Sequence, residues 1–491
     1  MTVDADGVLT RVTLLIVLML LLLTQLPIVR ASSTTTTPIQ HVIVIMQENH
    51  SFDNYFGTYP TANGTLLDST TAHLQPVDGL RDHVCLPYQA SCISPHLSTS
   101  DAPSNPEEGQ LTYQMDYSNN GSGFANYSGP QSMIYFDYHS VAAYWDYAEE
   151  YGLGAKYFAS ALSTTTPNRL MILGGDTPIS ANYGPPPFIS YSKTVMRQLD
   201  DSGVSWGYYD YLNASGEPFS MYPLNYLSEV PFQALDKVRS ISDLFGELGS
   251  GSNLPSVSLV NSLGDFKLTE HPPFNPMMGE RWVVSIVNRV MESSFWPTTA
   301  IFITWDEGGG FYDHVVPPRE FTINHGFTQD LTGLGQRVPL LVISPYSREN
   351  FVSDAVLSHL SVLHFIEYNW ALPPLDEFVA QSNLPLGFFN FSQGARTPII
   401  LSPSATYPIP SQSQSNRSLP SVPVEYELVG IVVAVVLLGS LSRRIRRSSS
   451  IGAGGEEPEM LMQRLPRSEM RRGVLTQIGE SMQSLSRGSS P

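Results

Sequence analysis

Four short runs along the chain are almost wholly apolar and β-branched: residues 41–46, 256–260, 299–305 and 337–344. Runs of this length without alternation predict strands covered on both faces, as in a parallel sheet. Over residues 142–151, 193–201, 279–293 and 356–370, apolar positions recur at three- and four-residue steps, which predicts helices. Strands and helices in alternation predict an α/β fold, a central and mostly parallel sheet flanked by helices, within one domain spanning residues 34–401. Residues 63–129 show no periodicity and are dense in turn formers. They predict a loop-rich insertion over the face that carries the chemistry.

The ends of the chain follow other patterns. Residues 12–23 are nearly all apolar, with Arg11 before them and Pro27, Ala31, Ser32 and Ser33 after, so residues 1–33 read as a signal peptide. Asp4 and Asp6 oppose Arg11, which leaves an uncleaved N-terminal anchor as the alternative. Residues 402–425 are rich in Ser and Pro and read as a solvated stalk. The apolar segment 426–442 then reads as a transmembrane helix. Arg443, Arg444, Arg446 and Arg447 follow at once, so residues 443–491 are expected to form a cytoplasmic tail, with the large domain outside the cell membrane.

Charge sharpens that division. From Ser442 onward nine Arg face five Glu, a net of +4, whereas the rest of the chain carries −23. With four lysines in the whole sequence there is no basic footprint, and no nucleic-acid partner is expected. So acidic a domain also suits an acidic habitat, where protonation limits self-repulsion. Cys85 and Cys92, the two cysteines, are read as one small-loop disulfide, with free thiols as the alternative. Sequons at Asn63, Asn120, Asn126, Asn213, Asn390 and Asn416 suit an exported glycoprotein.

The chemistry gathers where apolar strands run out. Glu48 and Asn49 follow the first strand, and Asp306 and Glu307 follow the third. In open α/β sheets, ligands bind outside the carboxyl ends of the strands. A carboxylate beside an amide offers hard oxygen donors, suited to a divalent metal ion such as Mg²⁺, Ca²⁺ or Mn²⁺, with Zn²⁺ also allowed. Two adjacent carboxylates repel in a low dielectric unless a cation or proton neutralises one. Gly308, Gly309 and Gly310 let the backbone approach a ligand closely. Ser163, Thr164, Thr165 and Thr166, just before Pro167, supply hydroxyls that either cap a helix start or include a nucleophile activated by the metal. Asn168 and Arg169 either hold phosphate oxygens or pin that turn. His271, in a loop after the second strand, is a surface imidazole or a proton donor to a leaving group, and Asp313 and His314 support the site, face phosphate, or form a turn.

Together these segments resemble the phosphoesterase family that contains bacterial phospholipases C, plant non-specific phospholipases C and a group of acid phosphatases. The resemblance lies in Glu48-Asn-His-Ser-Phe-Asp53 with Phe56 and Gly57, Tyr144 to Ala148 through Ser160, and Thr165-Thr-Pro-Asn-Arg169. It continues in Glu270-His-Pro-Pro273, Asp306 to His314 and Arg337 to Pro345, and covers residues 39–376. It implies an alkaline-phosphatase-like core that hydrolyses phosphoric esters through a hydroxyl nucleophile. Carried over by position, Glu48, Asn49, Asp306 and Glu307 are metal ligands, and Thr165 is the nucleophile and a further ligand. His271, His314 and His96 contact phosphate or the leaving group. Two departures stand out: His50 replaces a common Arg, and the surroundings of His96 match the family pattern poorly. The expected substrate is a phospholipid or a small phosphomonoester. A catalytically silent surface glycoprotein that uses the same fold to bind a partner is the rival reading, and the intact acidic residues and Thr165 count against it.

Overall fold

Strand β1 (His41–Gln47) is buried at every position after His41, and it is the axis of the fold. The computed structural model describes residues 35–62, 65–66, 74–180, 189–212, 224–319, 322–323 and 331–402. The other strands of the main sheet are β2 (Gly152–Gly154), β3 (Trp206–Asp210), β4 (Val238–Ser240), β5 (Val257–Asn261), β6 (Thr299–Trp305), β7 (Leu340–Ile343) and β8 (Phe351–Ser353). They lie in the order β4-β3-β5-β1-β6-β7-β2-β8. β7 is antiparallel to both of its neighbours, and all the other pairings are parallel. The expected α/β architecture with a mostly parallel sheet is therefore what the chain builds.

The four expected strands are all present, Thr299–Trp305 with the expected bounds and the other three with shifted ends. The last shortens to Leu340–Ile343 because Pro339 has no amide hydrogen to give to the ladder. Four strands were not read from the sequence. Three of them, β2, β4 and β8, span only three residues each, too short to set a period. β2 also begins on a glycine, which the ring of Phe388 demands, since a Cβ there would overlap it.

Helices α1 (Phe52–Phe56), α2 (Gln110–Asp116), α3 (Ala142–Glu150), α4 (Thr165–Gly174), α5 (Val195–Asp201), α6 (Ile241–Ser250), α7 (Pro276–Glu292) and α8 (His359–Asn369) complete the frame. α4 packs on α5 and α8, while α7 packs on α3 and α6. Local sequence sets their ends. Asn275 caps α7 with Pro276 in its first turn, and Ser240 forms a capping box with Asp243 at α6. The helix expected from residue 356 starts at His359, because Leu357–Ser358 first pairs with Tyr157–Phe158.

The insertion is more ordered than its composition predicts. Cys85 and Cys92 are bonded and close a hairpin of Leu86–Tyr88 with Ser91–Ile93. Leu86, Phe124, Ala125 and Met133 form a small apolar cluster with Tyr312, from the loop after β6. That cluster seats the insertion over the carboxyl ends of the strands. Among the described residues no helix is long and apolar enough to cross a membrane. The readings of residues 1–33 and 403–491, including the 426–442 span, lie outside the described residues.

Arg337 is fully buried just before β7 and binds partners in four other segments. Its guanidinium donates to Asp313 at 3.1 Å, to Asp53 at 2.8 Å and to the carbonyls of Asp78 and Ala155 at 2.8 and 3.2 Å. Removing one partner of a buried ion pair strands the other charges. Arg337→Met is expected to destabilise the domain by about 3–5 kcal/mol in urea unfolding, and a loss well below that range would show that Asp53 and Asp313 do not depend on it. A second expectation concerns pH. Burial pushes the Glu280 carboxyl up to about 8 and the Asp210 carboxyl to about 7. The folded chain thus holds protons that the unfolded chain releases in the ordinary carboxylate range. Their stabilising contribution is complete below that range and is lost as pH climbs through 7 to 8. Melting temperatures should fall across that window, and a flat profile would contradict these shifts.

Candidate functional site

In the parallel pairing of β1 with β6, Gln47 lies opposite Trp305, so the residues that follow each strand emerge side by side. Asp306 donates its amide to the Gln47 carbonyl at 3.1 Å, and the Asn49 amide donates to Asp306 Oδ1 at 3.4 Å. The two acidic pairs, 257 residues apart, therefore share one site. Asn49 takes a left-handed backbone (φ 63), and Gly309 (φ 62) packs directly against it.

Arg169 lies beneath the pairs and touches both. Its Nε donates to Asp306 Oδ2 at 2.8 Å, and one terminal nitrogen is 3.7 Å from Glu48 Oε1. Its remaining donors go to Asn261 Oδ1 and to the Met46 and Gln47 carbonyls. Asn168 is likewise committed, accepting from the Ala161 amide and donating to the Ala161, Ser163 and Thr164 carbonyls. The structure thus gives both residues protein partners in place of phosphate: Arg169 anchors the acidic pairs and Asn168 pins the turn. Thr165 is the buried first residue of α4. It sits on the same face as Arg169, one turn toward the helix N-terminus and therefore at the acidic end.

His271 reaches the site from a loop held by its neighbour. Glu270 accepts from Tyr55, Tyr144, Trp305 and Gln47 at 2.9, 2.5, 2.8 and 3.1 Å. His271 gives Nδ1–H to the Pro272 carbonyl at 2.6 Å, which leaves Nε2 facing Glu108 Oε1 at 3.8 Å. Burial lowers the pKa of this imidazole, but the carboxylates of Glu48 and Glu108 outweigh burial and hold it above its ordinary value.

Two expected histidines lie elsewhere. The ring nitrogens of His314 face Asp53 at 2.6 Å and Asp78 at 3.0 Å, so His314 joins the Arg337 network. Asp53, Asp313 and His314 come close enough to suggest a metal site of their own. Arg337 already bonds both carboxylates, however, so the group carries its own cation. His96 is exposed on a two-residue strand, its Nδ1 near the Ser94 carbonyl. The insertion instead enters the site through Glu108, which accepts from Asn49 Nδ2 at 2.6 Å, and Tyr113, which donates to Glu307 Oε2 at 2.6 Å. Neither gave a signal in the sequence, because both lie in the aperiodic stretch. His50, the departure from the family pattern, is stacked between Tyr55 and Phe311 at 4.2 and 5.1 Å.

The site carries surplus negative charge. Burial first, and then repulsion from neighbouring carboxylates, raises Glu48 to about 7 and also raises Glu307, while burial alone raises Asp306 against the pull of Arg169. Glu108 is raised chiefly by burial. Four carboxyl groups face one guanidinium and one imidazole. Glu48 Oε2, Asn49 Oδ1 and Glu307 Oε1 are buried with no hydrogen-bond partner. Unpaired buried oxygens are costly, and hard oxygen donors with excess negative charge fit a divalent cation.

Comparison with known proteins matches this picture. The model of the Phosphoesterase family matches residues 39–373. Phospholipase C B of Mycobacterium tuberculosis is 29% identical over 394 residues, which cover 68% of this chain and 74% of that protein. Non-specific phospholipase C6 of Arabidopsis thaliana is 25% identical over 339 residues, covering 64% and 63%. A solved structure of an alkaline phosphatase superfamily protein from Vibrio parahaemolyticus covers 73% of this chain and 78% of its own, at 10% identity and a TM-score of 0.36. A likeness that slight carries no weight here.

The contact between Gly309 and Asn49 is open to test. In Gly309→Ala the added Cβ would lie 2.7 Å from the Asn49 Cβ, on a backbone of positive φ. Asn49 must then move, so affinity for divalent metal, measured by calorimetry, is expected to drop by about tenfold or more. Unchanged affinity would show that the position of Asn49 does not matter to the centre.

Proposed function

We propose, for a chain that belongs to the phosphoesterase family and hydrolyses phosphoester bonds, a metal-dependent mechanism with Thr165 as the nucleophile. The observation that carries this reading is that Glu48 Oε2, Asn49 Oδ1 and Glu307 Oε1, from the ends of two paired strands, are buried and partnerless. Glu48, Asn49, Asp306, Glu307 and Thr165 are the residues that would hold the ion. A bound divalent cation supplies Lewis acidity, lowering the pKa of a hydroxyl and neutralising charge on phosphoryl oxygens.

The chain's own residues supply the rest. The Thr165 oxygen, its proton released to solvent, attacks phosphorus in line and forms a phosphothreonine as the bond from phosphorus to the departing alcohol oxygen breaks. The N-terminus of α4 favours the negative charge of the phosphoryl group. His271, with Nε2 turned to the site and its pKa held up, donates a proton to the departing oxygen. Water then hydrolyses the phosphothreonine, with the same imidazole accepting the proton. Arg169 keeps Asp306 and Glu48 in place throughout.

The relatives named phospholipase C support a phospholipid as substrate, and small phosphomonoesters suit the acid phosphatase branch of the same reading. The family also supports an alkaline-phosphatase-like arrangement of the core. The signal-peptide reading of residues 1–33, the apolar segment 426–442 and the arginines after it support an enzyme tethered to the cell membrane, with the catalytic domain outside and the tail in the cytoplasm. Asn120, Asn126 and Asn390 are exposed, as glycosylation requires.

The decisive assay presents the full-length chain with phosphatidylcholine vesicles and with a chromogenic phosphomonoester, with and without chelator. Chelation is expected to abolish turnover, and Thr165→Ala to reduce it by roughly a thousandfold or more. Acid quenching should trap labelled phosphothreonine in the wild type. Activity that survives both treatments would overturn the mechanism, and the preferred substrate fixes the class.

A further inference from the structure

A carboxylate accepts hydrogen bonds and cannot donate them, so the residue that faces a side-chain amide decides which way that amide points. Glu108 Oε1 accepts from Asn49 Nδ2 at 2.6 Å. Asn49 must then turn Oδ1 the other way, and that oxygen is buried with no partner. Five residues on, Tyr113 donates to Glu307 Oε2 at 2.6 Å, and the Gly309 amide donates to the same oxygen at 2.7 Å. Glu307 Oε1 is left as another buried oxygen without a partner. The same short stretch of the insertion, Glu108 and the helix α2 behind it, therefore occupies one terminal atom of two separate side chains and leaves the other oxygen of each without a partner.

We propose that Glu108 and Tyr113 form an orienting clamp, through which the insertion sets the affinity of the acidic centre for a divalent cation. Neither residue is a metal ligand in this inference. Each acts through the side chain it holds, Glu108 through Asn49 and Tyr113 through Glu307. Outer partners of this kind fix ligand orientation and raise ligand basicity, and losing one typically weakens metal binding 10–100-fold. Because the clamp belongs to the insertion, coupling runs both ways: an ion that selects the oriented ligands also favours the docked insertion.

The inference rests on the metal reading given above, and one titration separates the two. Full-length chain stripped with chelator is titrated with Mn²⁺, and free Mn²⁺ is followed by electron paramagnetic resonance. Glu108→Ala is expected to weaken binding 10–100-fold, and Tyr113→Phe to weaken it by a smaller factor. Glu108→Gln keeps an acceptor oxygen and should recover most of the lost affinity, which a general loss of structure would not allow. Adding Glu108→Ala to Asn49→Ala should weaken binding no further than Asn49→Ala alone, since one residue acts through the other. Should the alanine variant not fold, Glu108→Met keeps the length of the side chain, removes the acceptor and decides the same question. Wild-type binding that the Glu108 variant equals, or strictly additive losses in the pair, would overturn the clamp and leave the metal centre standing. A wild-type chain that binds no Mn²⁺ would overturn the metal centre itself, and the clamp with it.

Discussion

Everything at the site depends on the register of two neighbouring parallel strands. With Gln47 opposite Trp305, the chain leaves both strands at the same level, and four oxygen-bearing side chains leave with it. A slip of one residue would turn alternate side chains to the other face of the sheet. Such a slip is strongly opposed, since every residue of β6 and all but the first of β1 are buried. The hydrophobic interior thereby fixes the position of a polar centre. This is the sense in which a sheet with little chemistry of its own specifies where chemistry takes place.

Placing several carboxyl groups in a dry position has a cost that the fold meets with two arginines in different ways. Arg337 sits within the Asp53, Asp313 and His314 group and satisfies it, so that group is complete and reads as a structural knot. Arg169 offsets only part of the charge at Glu48 and Asp306, and Glu48 Oε2 is left buried without a partner. Both sites have clustered acids and a histidine close by. What separates them is whether the protein supplies enough positive charge itself. His359 shows the same economy of means: neutral in its buried position, it donates to the Trp305 carbonyl at 2.9 Å and steadies the strand end that carries Asp306.

Much of the frame was legible in the sequence because burial on both faces leaves a plain record. The β-branched runs that became β1, β5, β6 and β7 could be read, as could the three- and four-residue spacing of α3, α5, α7 and α8. The acid pairs were legible for a related reason, since polar residues directly after an apolar strand have one place to go in an open sheet. Legibility ended where a residue's role depends on a distant partner. Arg169 beside Thr165 read naturally as a phosphate contact, and nothing local could show that Asp306, Asn261 and two carbonyls would occupy it. His96 drew notice as a histidine in the insertion, while Glu108 twelve residues later makes the contact. In an aperiodic stretch the fold is held by a disulfide and a small cluster around Tyr312, and neither fixes the direction of a given side chain in advance.

The division of labour between sheet and insertion also bears on how such a site can change. Strand ends hold the ligands at positions that the core will not release, so replacing Glu48 or Asp306 disturbs packing and chemistry together. Glu108 and Tyr113 stand on a segment whose own apolar cluster is small and includes Tyr312 from the loop after β6. Substitutions in that segment can alter the pull on Asn49 and Glu307, or the reach of a substrate headgroup over them, without loosening the sheet. Phosphoryl transfer asks for little covalent chemistry from the protein and a great deal of positioning. A rigid sheet under a separately held insertion supplies that positioning.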